Sequence, residues 1–448
     1  MTRDLIDFIH GLDFADIPPQ AQQRAMLSVL DLVGVGIAGA ETRLSGIIRD
    51  HACGMFQGQT LMLFDHRTAS PAGVALAGGM TIDAFDAHDG FNQAKGHVGC
   101  GLFPAVYAIA DAEGIRDGRE FLTSMVIGYE LGARLAMSLH ASAPDYHSSG
   151  AWVAVAVAAV GARLLRLDAG ATRHAMGIAE YHGPRSQMMR CIDTPSMVKD
   201  GSGFGAMAGV SAAYLAKAGF TGAPAITAEA ADVARFWYDL GDNWLITRQY
   251  YKPYPVCRWA QAPIEAVLEL RSLHHLKPEM VDHIEIETFH ESVRLAVKDP
   301  KTTEQAQYST SYPCAVALVR GNVGAFEISE AAFGDPEVSR LSNGLKMSED
   351  DFCNQQFPAK RHARAILYLR DGRVLTSRLH QPGWDAENPP GWVELQAKFQ
   401  ALAEPLIGPA RAAAINAAVM ALDSGGSMQS LASLLCRPNR QSRPGAVA

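Results

Sequence analysis

Val281-Asp-His-Ile-Glu-Ile-Glu-Thr-Phe289 is the stretch that decides the fold, because it breaks the texture of everything before it. Ile284, Ile286 and Thr288 fall on one side of an extended chain and charged residues on the other, the two-residue alternation of a half-buried strand. A second strand signal surrounds Asp371-Gly372: Ala365 to Leu369 leads in, Val374 to Leu379 leads out, and Asp-Gly is a hairpin turn pair. Between these strands the spacing predicts helices over about 306–320 and 328–343.

Outward from this block the chain reads as helix. Upstream, apolar residues recur every three or four positions in 21–38, 72–88, 101–113, 118–140, 150–166 and 205–218, with Gly, Pro, Asp and Ser between. None of these segments follows a strand and a glycine-rich turn, which argues against an open α/β nucleotide-binding sheet. After Pro389-Pro390 the helical texture returns from Val393 to Leu435. The expectation is a mainly α fold. A large all-helical domain spans 1–268 and is completed by 396–448, and a smaller α+β lid domain, 269–395, is inserted in it. The cleft between them is the default ligand site. The tail after Cys436, with Pro438, Arg440, Arg443 and Pro444, reads as frayed.

Composition removes several functions. The chain has 448 residues, 48% of them hydrophobic, and 39 Lys and Arg against 47 Asp and Glu give a net charge of −8. No basic run accompanies that balance, so neither a nucleic acid nor a membrane surface is an expected partner. The N-terminus carries acids where a signal peptide needs an apolar run, and the apolar stretch Ala151 to Ala162 falls short of the ~20 residues that span a bilayer. Seven scattered cysteines without a Cys-x-x-Cys pair fit neither a disulfide framework nor a structural zinc site, and suit a cytoplasmic protein.

The densest polar cluster is Asp83-Ala-Phe-Asp86-Ala-His88-Asp89, followed by Lys95 and His97. A helix would gather Asp83, Asp86 and Asp89 on one side. They could cap neighbouring elements, move protons or bind a divalent metal, although the spacing matches no standard metal motif. Glu130 and Arg134, i,i+4 partners, read as a structural ion pair. Tyr146 and His147 sit in loop chemistry at the mouth of the Ala/Val helix, where His147 either transfers protons or caps. Lys199, before the small-residue helix, is either a solvated lysine or a carboxylate ligand at a helix start. Lys252 and Arg258, set among aromatics and prolines, suit cation–π packing or anion binding at the domain junction. In Gln307-Tyr-Ser-Thr-Ser-Tyr312 the small hydroxyls cap a helix and leave Tyr312 free for the cleft.

Read in order, these segments resemble the MmgE/PrpD family, which includes 2-methylcitrate dehydratase, cis-aconitate decarboxylase and iminodisuccinate epimerase. The resemblance covers nearly the whole chain. It rests on Ala84-Phe-Asp-Ala-His88, His97-Val-Gly, Gly128-Tyr-Glu130 with Arg134, His147-x-x-Gly150, Pro195-Ser-x-x-Lys199, Lys252-Pro-Tyr-Pro255 and Tyr308-Ser-x-x-Tyr312. It implies a helical body with an α+β lid, a homodimer, and a cleft site that needs no metal and no organic cofactor. The family's site positions fall on Asp86, His88, His97, His147, Lys199, Lys252, Arg258 and Tyr312.

The departures are informative. Ala84 and Ala87 stand where the family's dehydratases and decarboxylases carry acids, His88 replaces a Thr, Val98 replaces a Pro, and Arg258 stands where His is common. The expected substrate is a small anionic di- or polycarboxylate. Lys199, Lys252 and Arg258 would clamp it, while His97, His147, Tyr146, Lys199 and Asp86 supply the catalytic groups. With those acids lost, the expected reaction is epimerisation at a carbon α to a carboxylate, with an iminodisuccinate-like substrate. The alternatives are a hydro-lyase or decarboxylase acting on 2-methylcitrate or cis-aconitate, a metal hydrolase, and a non-catalytic dicarboxylate-binding protein.

Overall fold

The computed structural model describes residues 3–295 and 297–439 and is mainly α. Arg440, Arg443 and Pro444 of the tail lie outside the described residues. The helices expected upstream form as Pro19–Gly39, Pro71–Asp83, Gly99–Ala112, Gly118–Ser142, Gly150–Leu164 and Ser202–Lys217. Their small residues set the packing. Gly150–Leu164 and Ser202–Lys217 meet backbone to backbone, and a Cβ on Gly205 would lie 2.4 Å from the Gly150 carbonyl oxygen. That approach brings the loops before both helices, carrying Ser149 and Asp200, side by side.

The three expected strands form as Val281–Thr288, Ala363–Leu369 and Val374–Thr376. A fourth that the alternation did not mark, Lys346–Glu349, adds to the edge, giving the order Lys346–Glu349, Val281–Thr288, Ala363–Leu369, Val374–Thr376 across one sheet. Lys346–Glu349 runs parallel to Val281–Thr288 and the other neighbours are antiparallel. Ile284 faces Leu367 and Ile286 faces Ala365 on the buried side, and Gly372 turns the hairpin at φ +90°. Helix Arg258–Leu273 packs against Ala363–Leu369. The C-terminal helix Trp392–Ile407 packs along Pro19–Gly39, where Lys398 Nζ donates to Asp31 Oδ1 and to the Ala87 carbonyl, both at 2.6 Å.

Three expectations need correction. Helix 72–88 stops at Asp83, because tertiary partners claim the groups that would continue it. The Asp86 N–H donates to Gln307 Oε1 at 2.9 Å, and the Gly90 N–H to the Tyr250 carbonyl at 3.0 Å. The three acids therefore diverge from a turn. The 306–320 helix is two pieces, Thr303–Gln307 and Ser311–Arg320. The 328–343 helix is a turn at Glu330–Ala332 and a helix Pro336–Gly344, divided by Gly334 at φ +95° and by Pro336. Among the described residues no single helix is long and apolar enough to cross a membrane.

Candidate active site

The turn after Asp83, the Lys199–Gly201 loop and the Tyr250–Arg258 segment converge with Tyr308 and Arg361 on a small, partly enclosed cavity of about 30 Å³. Asp86, Lys95, His97, Tyr146, Asp200, Tyr250, Lys252, Arg258, Tyr308 and Arg361 are among its walls. A more open groove beside Arg163 is a weaker candidate, because its Arg163 is already matched by Glu120 at 2.8 Å.

Each acid of the first motif has gone to a different partner. Asp83 accepts from the Asp200 and Ser202 N–H groups at 3.2 and 3.4 Å, which is the capping role. Asp86 forms a buried ion pair with Lys252. Burial alone would raise its pKa, but Lys252 and Lys199 hold the Asp86 carboxylate well below the ordinary range. Burial opposes the Lys252 charge too, and contact with Asp86 outweighs it, so both partners are ionised. Burial drives Asp89 up to about 7 against the Tyr129 hydroxyl that donates to it at 2.5 Å. Burial and the neighbouring Asp83 drive Asp200 up to about 8, which leaves it largely neutral at pH 7.

The imidazoles are set by one backbone oxygen. His97 Nδ1 lies 2.6 Å from the Asp89 carbonyl and His88 Nδ1 lies 3.3 Å from it. A carbonyl only accepts, so Nδ1 of His97 carries the hydrogen and Nε2 keeps a lone pair. Burial, then His88 and Lys252, push the His97 pKa well below its ordinary value, so this histidine is neutral. Its ring meets that of His88 edge-on at 4.3 Å. Lys199 sits at φ +48°, a conformation unusual for a residue with a side chain, and donates to Gln307 Oε1 at 2.7 Å. Its ammonium lies over the Tyr308 ring at 4.6 Å, behind the cavity wall.

Not every predicted residue arrives. Tyr312 is not free for the cleft: its hydroxyl donates to the Glu327 carbonyl at 2.7 Å and its ring meets Phe333 edge-on. Tyr308, where Thr303–Gln307 ends, takes the cavity position instead. His147 stacks on His140 at 6.3 Å, held by a bridge to Gln187, and does not line the cavity. Tyr146 does line it, but its hydroxyl is donated to the Lys95 carbonyl. His88 is fully buried behind His97. Glu130 and Arg134 are the structural pair that their spacing predicts, 3.5 Å apart.

Sequence reasoning missed Arg361, Tyr250 and Asp385. Arg361 stands in Lys360-Arg-His362 with no spacing to mark it. Tyr250 is one residue outside the motif around Lys252, and only its bridge to Gly90 brings it to the cavity. Asp385 pairs with Arg258 at 3.1 Å, and Arg258 also lies over the Tyr250 ring at 4.1 Å.

Asp86, His88 and His97 place ligand-type atoms within 4.8 Å of one another, the geometry of a three-ligand metal site. The Lys252 ammonium already occupies the charged end of that trio, and Lys199 adds a second cation to it. A divalent ion there would meet repulsion from both. Four cations line the cavity, Lys95, Lys252, Arg258 and Arg361, with Asp86 the ionised acid among them. The arrangement can hold an anion with several carboxylates next to a neutral imidazole.

Comparison with known proteins extends over nearly the whole length. The sequence profile of the MmgE/PrpD N-terminal domain matches residues 3–240, and that of the MmgE/PrpD C-terminal domain matches residues 254–424. A cis-aconitate decarboxylase-like protein of Aspergillus oryzae is 23% identical over 482 aligned positions, covering 97% of this chain and 97% of that protein.

Proposed function

The chain belongs to the MmgE/PrpD family, and on that premise we propose that it is an epimerase of a small polycarboxylic acid with an iminodisuccinate-like substrate. It moves the proton at a carbon α to a carboxylate with its own side chains, and acts as a cytoplasmic homodimer. The observation that carries this reading is a neutral His97, its Nε2 lone pair free, in a wall otherwise crowded with cations. In this reading, cations around the substrate carboxylate stabilise the charge that builds on its oxygens when the α-proton leaves. His97 Nε2 takes that proton.

Return of a proton to the other face needs a group that holds one. Of the three tyrosines in the wall, Tyr146 is committed to the Lys95 carbonyl and Tyr308 carries the Lys199 ammonium over its ring. Tyr250, its pKa raised by burial to about 12, keeps its proton and is the assigned acid. Lys252 and Arg258 bind substrate carboxylates, and Lys199 adds its charge from behind Tyr308. Asp86 holds Lys252 in place.

The second reading is a decarboxylase or hydro-lyase, favoured by the name of the Aspergillus oryzae relative. The absence of acids at Ala84 and Ala87 speaks for epimerisation. Proton NMR of the enzyme with single stereoisomers of iminodisuccinate in deuterated water separates the two. Epimerisation gives the other stereoisomer with deuterium at the α-carbon. With 2-methylcitrate or cis-aconitate, a gain or loss of alkene signal would establish the lyase and overturn the epimerase.

A further inference from the structure

Arg258 and Arg361, about one hundred residues apart in sequence, are linked through one carboxylate and one amide. Arg258 Nη2 lies 3.1 Å from Asp385 Oδ2, and Asp385 Oδ1 accepts from Asn92 Nδ2 at 2.6 Å. The Oδ1 of Asn92 then accepts from Arg361 Nη1 at 2.9 Å. One acid and one amide, with the Tyr251 and Gly383 carbonyls on Arg258 and the Pro358 and Asn92 carbonyls on Arg361, thus hold two guanidiniums at the same cavity wall, and the group keeps a net positive charge. Both arginines are at least 97% buried, at 3% and 2% exposure, yet the Nε of each has no partner among the described residues. Buried guanidinium donors without acceptors are costly unless a ligand satisfies them. A carboxylate matches the planar fork of a guanidinium, and an ammonium or a hydroxyl does not.

We infer that Arg361, together with Arg258, is a carboxylate clamp set apart from Lys252 and His97, and that it selects substrates carrying a second carboxylate away from the reacting carbon. Arg361 contributes the specificity. Asn92 and Asp385 are positioning residues that hold the two guanidiniums in register. The chemical class is a dicarboxylate or larger polycarboxylate, and a monocarboxylate that fits the Lys252 end alone binds poorly. This rests on the reading of the cavity as a carboxylic-acid site and does not depend on which reaction follows.

The test needs no turnover. Succinate and its monoamide, succinamate, are titrated into the full-length protein by calorimetry, with acetate as a further control. Wild type is expected to bind succinate at least ten-fold more tightly than succinamate. In Arg361→Gln that preference collapses toward unity, and Arg361→Lys recovers only part of it, because a point charge lacks the fork. Equal affinity of wild type for succinate and succinamate would overturn the proposal, as would an intact preference in Arg361→Gln. If Arg361→Gln does not fold, Arg361→Lys and Asn92→Ala carry the same comparison. Loss of affinity for both ligands in equal measure would reveal a purely structural role. Succinate selectivity without epimerisation would sink the functional reading and leave the clamp standing.

Discussion

The two walls of the cavity are built by different means. On one side, Asp86, His97 and Lys252 form a self-contained set in which a buried acid and a buried ammonium neutralise each other and a backbone carbonyl fixes the imidazole. On the other, Arg258 and Arg361 outnumber Asp385, which pairs with Arg258 and reaches Arg361 through Asn92, and the Nε of each is open. The first wall is organised without a ligand, and the second is the one that the proposed clamp would complete with a substrate carboxylate. The comparison teaches that chemistry and recognition are separable here, so variants of the two walls should fail in different ways.

The sharpest break falls on the first wall. Lys252→Met strands the Asp86 carboxylate in the interior and should destabilise the protein by about 3–5 kcal/mol while abolishing turnover. Adding Asp86→Asn removes the stranded charge. The double variant should regain most of its melting temperature and none of its activity, and recovery of both would dissolve the assigned role of Lys252. On the second wall, Arg361→Ala should leave the melting temperature closer to wild type and cut kcat/KM by about 100-fold, the scale of a lost charge-assisted hydrogen bond. The loss should appear mainly in KM. A loss confined to kcat would place Arg361 in the chemistry instead.

The pH profile sharpens the first wall further. His97 must be neutral to accept a proton, and its pKa is lowered by burial and by neighbouring His88 and Lys252. The acidic limb of kcat/KM, which reports the free enzyme, should therefore lie below pH 6.5. A limb at or above that value would exclude His97 as the base. The smallest effect is expected outside both walls. Tyr312→Phe removes one hydrogen bond to the Glu327 carbonyl and should cost about 1 kcal/mol of stability with turnover within two-fold of wild type. A collapse of turnover would return Tyr312 to the site.

What the sequence revealed follows the same division. Short-range pattern was legible: the alternation of Val281–Thr288, the Asp-Gly hairpin and the small-residue helices appear where period and turn chemistry place them. The first wall was legible as well, since Asp86, His97 and Lys252 belong to compact motifs. Of the second only Arg258 was, because Arg361, Asn92 and Asp385 meet only through folding and carry no local spacing. Helix 72–88 was overextended for a related reason. Periodicity cannot see that Gln307 and Tyr250, far along the chain, would claim the backbone of the turn after Asp83.

That His97 Nε2 moves the α-proton is the claim on which the rest depends. Deuterium wash-in at the α-carbon of the substrate, followed by NMR for wild type and for His97→Gln at matched folded concentration, addresses it directly. The expected result is incorporation by wild type and a rate at least ~100-fold lower in the variant, in the range of general-base effects. Equal wash-in by the two proteins would contradict it.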